Sequence, residues 1–349
     1  MTTRDTLHFI IPGDINTRTG GYRYDKRIVQ GLEETGWTVH LHSLAGDYPF
    51  PSKTERDQAS NVLSGIDNNS LVVMDGLAFS TLPEVVKAHS PRLDFIALVH
   101  HPLALETGLT ERQANSLKRQ EIQALSLARH IITTSHPTAD SLTHYRVPET
   151  RVTAVLPGTD RGKVSSGSGQ AQLNLACVAT LTPRKGHSVL LEALLPLLKH
   201  PWHLYCAGST ERHAETRQRV NTLLEQHELH DRVTFTGELE DDELAALYER
   251  TDIFVLASFY EGYGMVLDEA IAHGLPIICT TGGALKTTLP KGAGILVPPH
   301  DADALSGAIE TLVTDHDQRK LLSDNARKAR ECLRTWHSAT AEFANVLCS

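Results

Sequence analysis

The chain has 349 residues, of which 40% are hydrophobic and 21% are charged, and its formal net charge is -9. This length exceeds what one hydrophobic core usually serves, so two domains are expected. The negative charge disfavours broad nucleic-acid binding, because such binding depends on Lys and Arg to neutralise phosphates.

Export and membrane insertion are not expected from this sequence. No apolar run approaches the roughly 20 residues that a membrane-spanning helix needs, and the N-terminal apolar stretch is too short for a secretory signal. The five cysteines include no CxxC pair, and Cys177, Cys206 and Cys279 lie in apolar, strand-like runs. They are interpreted as small buried hydrophobes, which predicts a cytoplasmic protein.

Short β-branched apolar runs alternate with segments of helical period through the first half of the chain. Between the first two runs, Ile28, Val29 and Leu32 fall at helical spacing. The strands predicted in this half cover residues 7–12, 38–44, 71–76, 94–100, 130–135 and 152–158. This alternation indicates βαβ units and a parallel sheet that is covered on both faces.

A Gly/Ser-rich stretch without apolar period, residues 159–172, is predicted to be the linker between two domains. After it the alternation restarts, with strands predicted at 175–181, 202–208, 233–237, 252–258, 276–281 and 294–299. The predicted fold class is therefore α/β, with two doubly wound parallel-sheet domains in tandem. Ligands of such sheets bind beyond the carboxyl ends of the strands, and a cleft between the domains is the natural site.

Three loops that follow predicted strands have the composition of an anion site. In the first, Gly20 and Gly21 precede a helix and would let backbone N–H groups approach a phosphate, although an ordinary flexible loop explains them equally well. In the second, Arg184 and Lys185 suit a diphosphate, with a solvated basic turn as the alternative. The third lies within SFYEGYGMVLDEAIAHGLPII, residues 258–278.

The two glutamates of this third stretch have separate predicted positions. Glu261 belongs to the loop at the strand end, whereas Glu269 lies about one and a half turns into the following helix. A carboxylate accepts two hydroxyl hydrogen bonds, which suits the vicinal diol of a ribose or a hexose. The amides of residues 262–265 would then face an anion between two polyols, as in a nucleotide sugar. An acidic helix start explains Asp268 better than it explains this combination.

The same stretch resembles the signature of family 4 retaining glycosyltransferases, which have the GT-B fold. VTFTGELEDDELAALYERTDIFVLAS, GAGILVPPHDADAL, TPRKG and the glycine pair after the first strand resemble further family segments. The likeness covers nearly the whole chain and is stronger in its C-terminal half. The signature, S-x-x-E-G-x-G-x-x-x-x-E-A with G-x-P-V/I-I and a Gly-Gly turn, stands here as Ser258, Glu261-Gly262-Tyr263-Gly264, Glu269-Ala270, Gly274-Leu275-Pro276-Ile277-Ile278 and Gly282-Gly283.

The resemblance implies two Rossmann-like domains that face each other across a cleft. Residues 1–160 would bind the acceptor, residues 161–334 would bind the nucleotide sugar, and a helix within 335–349 would cross back onto the first domain. An acidic run at 240–243 is interpreted as a helix cap rather than a metal site.

The resemblance also implies roles for individual residues. Glu269 would bind the ribose, Glu261 would hold the sugar, and Lys185 would meet the diphosphate. The other implied donor contacts are Gly20 and Gly21 at the diphosphate, Gly237 to Leu239 at the base, Gly262, Tyr263, Gly264 and Met265 around sugar and phosphate, and His100 at the transferred sugar with the adjacent His101 as an alternative.

One position departs from the family pattern. The family often has Gly-Arg-Leu before the lysine loop, and that arginine contacts the diphosphate. This chain has Ala179, Thr180 and Leu181 at the corresponding place. Arg184, beside Lys185, is the candidate for the second cationic contact.

The implied reaction transfers a hexose-type sugar from a UDP-, GDP- or ADP-sugar to an acceptor hydroxyl with retention of configuration. The resemblance implies a front-face route, in which the leaving diphosphate helps to deprotonate the acceptor, with His100, Glu261 and Lys185 as the catalytic residues. No acid/base carboxylate pair, metal ion or other cofactor is expected.

Other functions remain open at this point. The same fold supports nucleotide-sugar epimerases and phosphorylases, and the missing arginine would suit a catalytically weak sugar-nucleotide-binding partner subunit. The acceptor, whether a saccharide, a lipid-linked molecule or a small molecule, is not specified. A helix with Arg112, Lys118, Arg119 and Arg129 allows peripheral contact with the inner face of a membrane, although a solvated helix is the simpler interpretation.

Overall fold

The computed structural model describes residues 5–349, which form two compact units. Unit 1 contains the described residues up to Gly158 together with Arg334–Ser349, and unit 2 is the continuous segment Thr159–Leu333. Each unit contains one six-stranded sheet in which neighbouring strands are parallel. Parallel neighbours need crossover connections, which the helices between the strands provide.

The twelve strands correspond closely to the predicted apolar runs. Those of unit 1 are β1 (Thr6–Pro12), β2 (Thr38–Leu44), β3 (Leu71–Asp75), β4 (Asp94–Val99), β5 (His130–Thr133) and β6 (Val152–Ala154). Those of unit 2 are β7 (Leu173–Val178), β8 (Trp202–Ala207), β9 (Val233–Gly237), β10 (Ile253–Leu256), β11 (Ile277–Thr280) and β12 (Gly294–Val297). The spatial orders are β2-β1-β3-β4-β5-β6 and β12-β11-β10-β7-β8-β9.

Helices cover the sheets and connect the strands. In unit 1 they are α1 (Gly20–Glu34), α2 (Lys53–Ser64), α3 (Gly76–Phe79), α4 (Pro83–His89), α5 (Glu111–Leu125) and α6 (His136–Ser141). In unit 2 they are α7 (His187–Leu194), α8 (Ala214–Gln226), α9 (Asp241–Glu249), α10 (Met265–Ala272), α11 (Leu285–Thr288), α12 (Ala302–Thr314) and α13 (His316–Arg330). The acidic run at 240–243 does start a helix, where the amide of Glu240 donates to Glu243 at 2.9 Å.

The last helix, α14 (Trp336–Cys348), packs against α1 within unit 1. Gly31 on α1 makes the close approach possible, since an added Cβ would lie 2.2 Å from the hydroxyl oxygen of Thr340. Trp336 meets the buried Tyr24 edge to face, with ring centroids 6.0 Å apart, and Phe343 is completely buried. The terminal residues are therefore part of the core of unit 1.

The Gly/Ser-rich stretch predicted to be a linker contains no helix or strand, but it is packed onto unit 2. The hydroxyl of Ser165 donates to the carbonyl oxygens of Glu249 and Thr251 at 2.9 and 2.8 Å. An added Cβ on Gly162 would lie 2.2 Å from the His273 ring. Small polar residues allow this close packing, whereas composition alone predicts that such a segment is flexible.

Glu121 on α5 is a buried carboxyl that should make stability depend on pH. It accepts hydrogen bonds from the amide of Leu103 and the hydroxyl of Ser80, both at 3.2 Å. Burial outweighs these bonds and raises the pKa of Glu121 to about 7. An acid whose pKa is higher in the folded state loses stabilising free energy as the pH rises from its unfolded pKa to its folded one.

We expect Glu121→Gln to increase the free energy of unfolding at pH 8 relative to wild type, by about 2 kcal/mol, and to change it little at pH 5. Urea unfolding at the two pH values measures the difference. Glu111→Gln, an exposed change at the start of the same helix, is the matched control and should show no such pH dependence. If the free energies of unfolding of Glu121→Gln and wild type differed by the same amount at both pH values, the expectation would be contradicted.

Candidate active site

The predicted site residues fall into two groups, one in each unit. Gly20, Gly21, His100 and His101 belong to unit 1. The group in unit 2 contains Arg184, Lys185, Gly237, Leu239, Glu261, Gly262, Tyr263, Gly264, Met265 and Glu269.

In unit 2, the loop between β10 and α10 is fixed to the loop before α7. The amide of Phe259 donates to the carbonyl of Arg184 at 2.7 Å, and the guanidinium of Arg184 donates to the carbonyl of Tyr260 at 2.6 Å. Gly186 has a φ of +68°, and an added Cβ there would lie 2.2 Å from the carbonyl oxygen of Ala257. The structure thus brings together two of the three loops that were predicted to bind an anion.

Glu261 is held between two cations at this junction. Its Oε1 lies 2.5 Å from Nζ of Lys185 and its Oε2 lies 3.0 Å from Nη1 of Arg184. Burial alone would raise the pKa of Glu261, but Lys185 and Arg184 outweigh burial and lower that pKa to about 2. Burial also lowers the pKa of Lys185, an effect that Glu261 opposes.

Because Glu261 is ionised throughout the neutral range, it is unsuited to exchange a proton with a substrate near pH 7. Each of its carboxylate oxygens has a second lone pair, so each can still accept a hydroxyl hydrogen bond.

The paired glycines after β11 support the same loop. Gly283 has a φ of +62°, and an added Cβ would lie 2.2 Å from the carbonyl oxygen of Glu261. That carbonyl also accepts a hydrogen bond from the amide of Ala284 at 2.9 Å. An added Cβ on Gly282 would lie 2.3 Å from the carbonyl oxygen of Phe259. Only glycine permits this approach.

We expect Gly283→Ala to reduce the free energy of unfolding by roughly 2 kcal/mol or more, because it combines a left-handed backbone with a clash against backbone. Gly307→Ala is the matched control, since Gly307 lies in α12 and has no atom within 4 Å of an added Cβ. It should be neutral or stabilising. Thermal and urea unfolding of both variants measure the effect, and equal stabilities would show that the loop can move aside.

The N-terminus of α10 follows this loop directly. Gly264 precedes Met265 with a φ of +92°, a conformation that favours glycine. The hydroxyl of Tyr263 donates to Asp268 at 2.6 Å, and burial raises the pKa of Asp268 to about 6. Asp268 therefore has a local structural role, whereas the positive end of the helix dipole is directed towards residues 262–264.

Glu269 lies further along α10 and is partly exposed. The hydroxyl of the buried Tyr248 donates to Oε2 of Glu269 at 2.9 Å, and the Tyr248 ring stacks on His273 with centroids 4.9 Å apart. Tyr248 thus orients a carboxylate that stays accessible. Tyr248 was not among the residues predicted from the sequence.

The residues predicted to hold the base lie at the end of β9. The carbonyl of Gly237 accepts a hydrogen bond from the amide of Gly208 at 2.8 Å, and Leu239 packs on the core of unit 2. Their contact with a base stays a prediction.

In unit 1, Gly20 and Gly21 are the first two residues of α1. No atom lies within 4 Å of an added Cβ on Gly20, whereas one on Gly21 would lie 3.3 Å from the ring of His100. The predicted residues Gly21 and His100 are therefore neighbours. His101 points to a different partner, since its Nε2 lies 3.2 Å from Glu106.

His100 also contacts two acids that sequence analysis missed. Its Nε2 lies 3.0 Å from Oδ1 of Asp25 on α1 and 3.3 Å from Oδ2 of Asp75 at the end of β3. The three groups lie within 4.8 Å of one another, a spacing that is also compatible with a cation. A signal for Asp25 was available, because it falls at i, i+3 and i+7 with Ile28 and Leu32 on the apolar face of α1.

Two of the four basic side chains considered for membrane contact are engaged within unit 1. The ammonium of Lys118 lies 5.3 Å from the centroid of the Tyr145 ring, and Arg129 pairs with Asp94 at 3.0 Å. Among residues 5–349, no helix is both long enough and apolar enough to cross a membrane.

Comparison with known proteins identifies the family. Residues 161–329, a segment of unit 2, match the family model for glycosyl transferases group 1. An MMP alpha-(1->4)-mannosyltransferase of Mycolicibacterium hassiacum is 28% identical over 334 residues, which cover 90% of this chain and 78% of the relative. The segment 161–329, which makes up most of unit 2, therefore belongs to the group 1 glycosyltransferases.

A second relative is a D-inositol 3-phosphate glycosyltransferase of Corynebacterium kroppenstedtii. It is 29% identical over 76% of this chain, and the match spans 61% of the relative. The two relatives act on different molecules, as their names state, and both are glycosyltransferases. The chain is therefore a transferase enzyme.

Solved structures confirm the predicted fold class. Sucrose-phosphate synthase from Thermosynechococcus elongatus superposes with a TM-score of 0.81 at 21% identity, covering 98% of both chains. HepE of Anabaena, in complex with UDP and glucose, superposes with a TM-score of 0.80 at 16% identity, covering 98% of this chain and 99% of that one. Together with the two parallel six-stranded sheets, these likenesses establish a GT-B fold.

Proposed function

We propose that this glycosyltransferase transfers a hexose-type sugar from a nucleoside diphosphate sugar to an acceptor hydroxyl, with retention of configuration and without a metal ion. The observation that carries the proposal is the junction in unit 2, where Glu261 joins Lys185 and Arg184 beside the N-terminus of α10. This arrangement offers carboxylate, cations and helix amides to one ligand that is a polyol in some parts and an anion in another.

Each part of such a donor has a candidate partner. Glu269, oriented by Tyr248, accepts two hydrogen bonds from ribose hydroxyls. Lys185 and the N-terminal amides of α10 meet the diphosphate, and Glu261 accepts hydrogen bonds from the sugar. The solved structures of HepE with UDP-glucose, and with UDP and glucose, support a nucleotide-sugar donor.

The ion pairs of Glu261 favour this division of roles. Arg184 donates to the loop carbonyl of Tyr260 as well as to Glu261, so it holds the loop in place. Lys185 lies on the other carboxylate oxygen, and the diphosphate is the stronger anionic partner when the donor binds. We therefore assign the principal diphosphate contact to Lys185 and regard Arg184 as the residue that positions Glu261.

The charges also favour a front-face mechanism. Departure of the diphosphate builds negative charge, which Lys185 and the positive end of α10 stabilise. The departing phosphate oxygen can take the proton of the acceptor hydroxyl as that hydroxyl attacks the same face. With a pKa of about 2, Glu261 is a poor proton acceptor, so it orients the sugar instead. His100 is assigned to the transferred sugar.

A thermal-shift screen over UDP-, GDP- and ADP-sugars tests the donor class, because a ligand that binds only the folded state raises the apparent stability. The selected donor is then incubated with saccharide and small-molecule acceptors in EDTA, and NMR reports the anomeric configuration of the product. We expect nucleotide release that requires an acceptor, and retention. Inversion, or loss of activity in EDTA, would overturn the corresponding part of the proposal. Release without an acceptor, or no turnover despite binding, would favour the other functions of this fold.

A further inference from the structure

His100 is held from one side by two buried carboxylates. Asp25 is completely buried and Asp75 is 5% exposed, whereas the side chain of His100 retains 20% of its accessible surface. Both acids contact the same ring nitrogen, at 3.0 and 3.3 Å. A nitrogen shared by two carboxylate oxygens must carry a proton, because both neighbours are acceptors unless one of them is protonated.

The other ring nitrogen is left for a ligand. In the part of the chain that the structure describes, Nδ1 of His100 has no hydrogen-bond partner. Gly21 packs against the ring with no side chain of its own, and Tyr24 meets the ring edge to face at 5.6 Å. The backbone of His100 is fixed separately, since its carbonyl accepts a hydrogen bond from Thr134.

We propose that Asp25 and Asp75 are positioning residues for His100: they fix Nε2 inward as a hydrogen-bond donor and present Nδ1–H as a cationic donor to an oxygen of the substrate. This inference rests on the proposed function, which assigns His100 to the transferred sugar. It adds that the ring is cationic and that Nδ1 is the nitrogen that contacts the substrate. It also adds that Asp25 and Asp75 determine both properties.

The charges around the ring support the cationic form. The titratable groups that face it are Asp25 and Tyr24 from α1 and Asp75 from the end of β3. Burial would lower the pKa of His100, but Asp25 and Asp75 outweigh burial and raise it to about 10. Tyr24 stays neutral, because burial raises its pKa well above its usual value. Oδ2 of Asp25 is buried without a partner, which makes the positive ring its main compensation.

A cationic Nδ1–H is a stronger donor than a neutral imidazole. Its acceptor in a nucleotide sugar is either a neutral sugar hydroxyl oxygen or a phosphate oxygen that carries negative charge. These two sources are separated by ligand choice. If the partner is a phosphate oxygen, loss of the positive charge weakens the binding of free nucleoside diphosphate. If it is a sugar oxygen, that binding is unchanged and turnover falls.

The direct test is the pKa of His100, measured by NMR on histidine-labelled protein without substrate and assigned from the signal that His100→Gln removes. We expect a titration above pH 9 in the wild type, and a fall of at least one pH unit in Asp25→Asn and in Asp75→Asn. Glu106→Gln, which removes the acid beside His101, is the matched control and should leave the pKa of His100 unchanged. A wild-type value near its ordinary 6.5, or no change in either variant, would overturn the inference.

The functional test is the pH dependence of kcat with the selected donor. The wild type should be flat up to about pH 9, whereas Asp25→Asn should lose activity as the pH rises through the lowered pKa and regain it on acidification. A loss that is equal at every pH would indicate a purely structural role and overturn the inference. A divalent ion retained after dialysis and lost in Asp25→Asn would also overturn it, because the ion would replace the Nε2 proton. The NMR measurement uses no substrate, so its result does not depend on the proposed donor class. An error in the donor class would affect only the kinetic experiment.

Discussion

Replacement of Glu269 by alanine is expected to weaken binding of the nucleotide sugar by about 100-fold or more. The bound donor would lose two charge-assisted hydrogen bonds from its ribose hydroxyls to this carboxylate, each contributing about 1.5 kcal/mol or more. The fold should be retained, since Glu269 is partly exposed. Calorimetric titration of the donor into wild type and variant measures the change.

Two further variants make this experiment specific. Tyr248→Phe removes the hydroxyl that orients Glu269 and keeps the buried ring, so a smaller loss of affinity is expected. Asp303→Ala removes an exposed acid from the first turn of α12 in the same unit, and it should leave donor affinity unchanged. Undiminished affinity in Glu269→Ala would show that the ribose is bound elsewhere.

Glu261→Gln is expected to reduce turnover by about 100-fold or more while sparing the affinity for free nucleoside diphosphate. The sugar would lose its orienting carboxylate, whereas Lys185 would be released from its ion pair and remain available to the diphosphate. Calorimetry with the nucleoside diphosphate and initial rates with the nucleotide sugar separate the two effects. A parallel loss of diphosphate affinity would instead assign Glu261 to the positioning of Lys185.

The same substitution should also change stability. Removal of one partner from a largely buried ion pair reduces the free energy of unfolding by about 3 kcal/mol. Because the pKa of Glu261 is lowered to about 2, this contribution is present above the unfolded pKa and is lost as the pH falls towards 2. Wild type and variant should therefore converge in acid. The control is Glu249→Gln, whose partner Lys163 is 77% exposed and whose loss should be below about 1 kcal/mol.

The fold was predictable from the sequence because its signals are local. A parallel sheet buried on both faces requires continuous apolar strands, and the predicted runs at residues 71–76 and 252–258 contain β3 and β10, which are almost completely buried. The loop and helix positions of Glu261 and Glu269 were predictable for the same reason, since Gly264 and Gly274 delimit α10.

Contacts between distant parts of the chain were not predictable in this way. No local pattern indicates that Glu261 pairs with residues 76 and 77 positions earlier. Asp25 could have been noticed as an acid on an apolar helix face, but its partner His100 lies in a different βα unit. Such pairings depend on the order of the strands, which alternation alone does not specify.

The placement of α14 also affects how the chain can assemble during synthesis. Unit 2 is one continuous segment, whereas unit 1 requires residues from both sides of it. The surface of α1 that packs against α14 stays uncovered until all of unit 2 has been synthesised. Unit 2 can therefore be complete first. Removal of residues 334–349 would therefore destabilise unit 1, whose other residues lie before unit 2 in the sequence, rather than unit 2, which immediately precedes the removed segment.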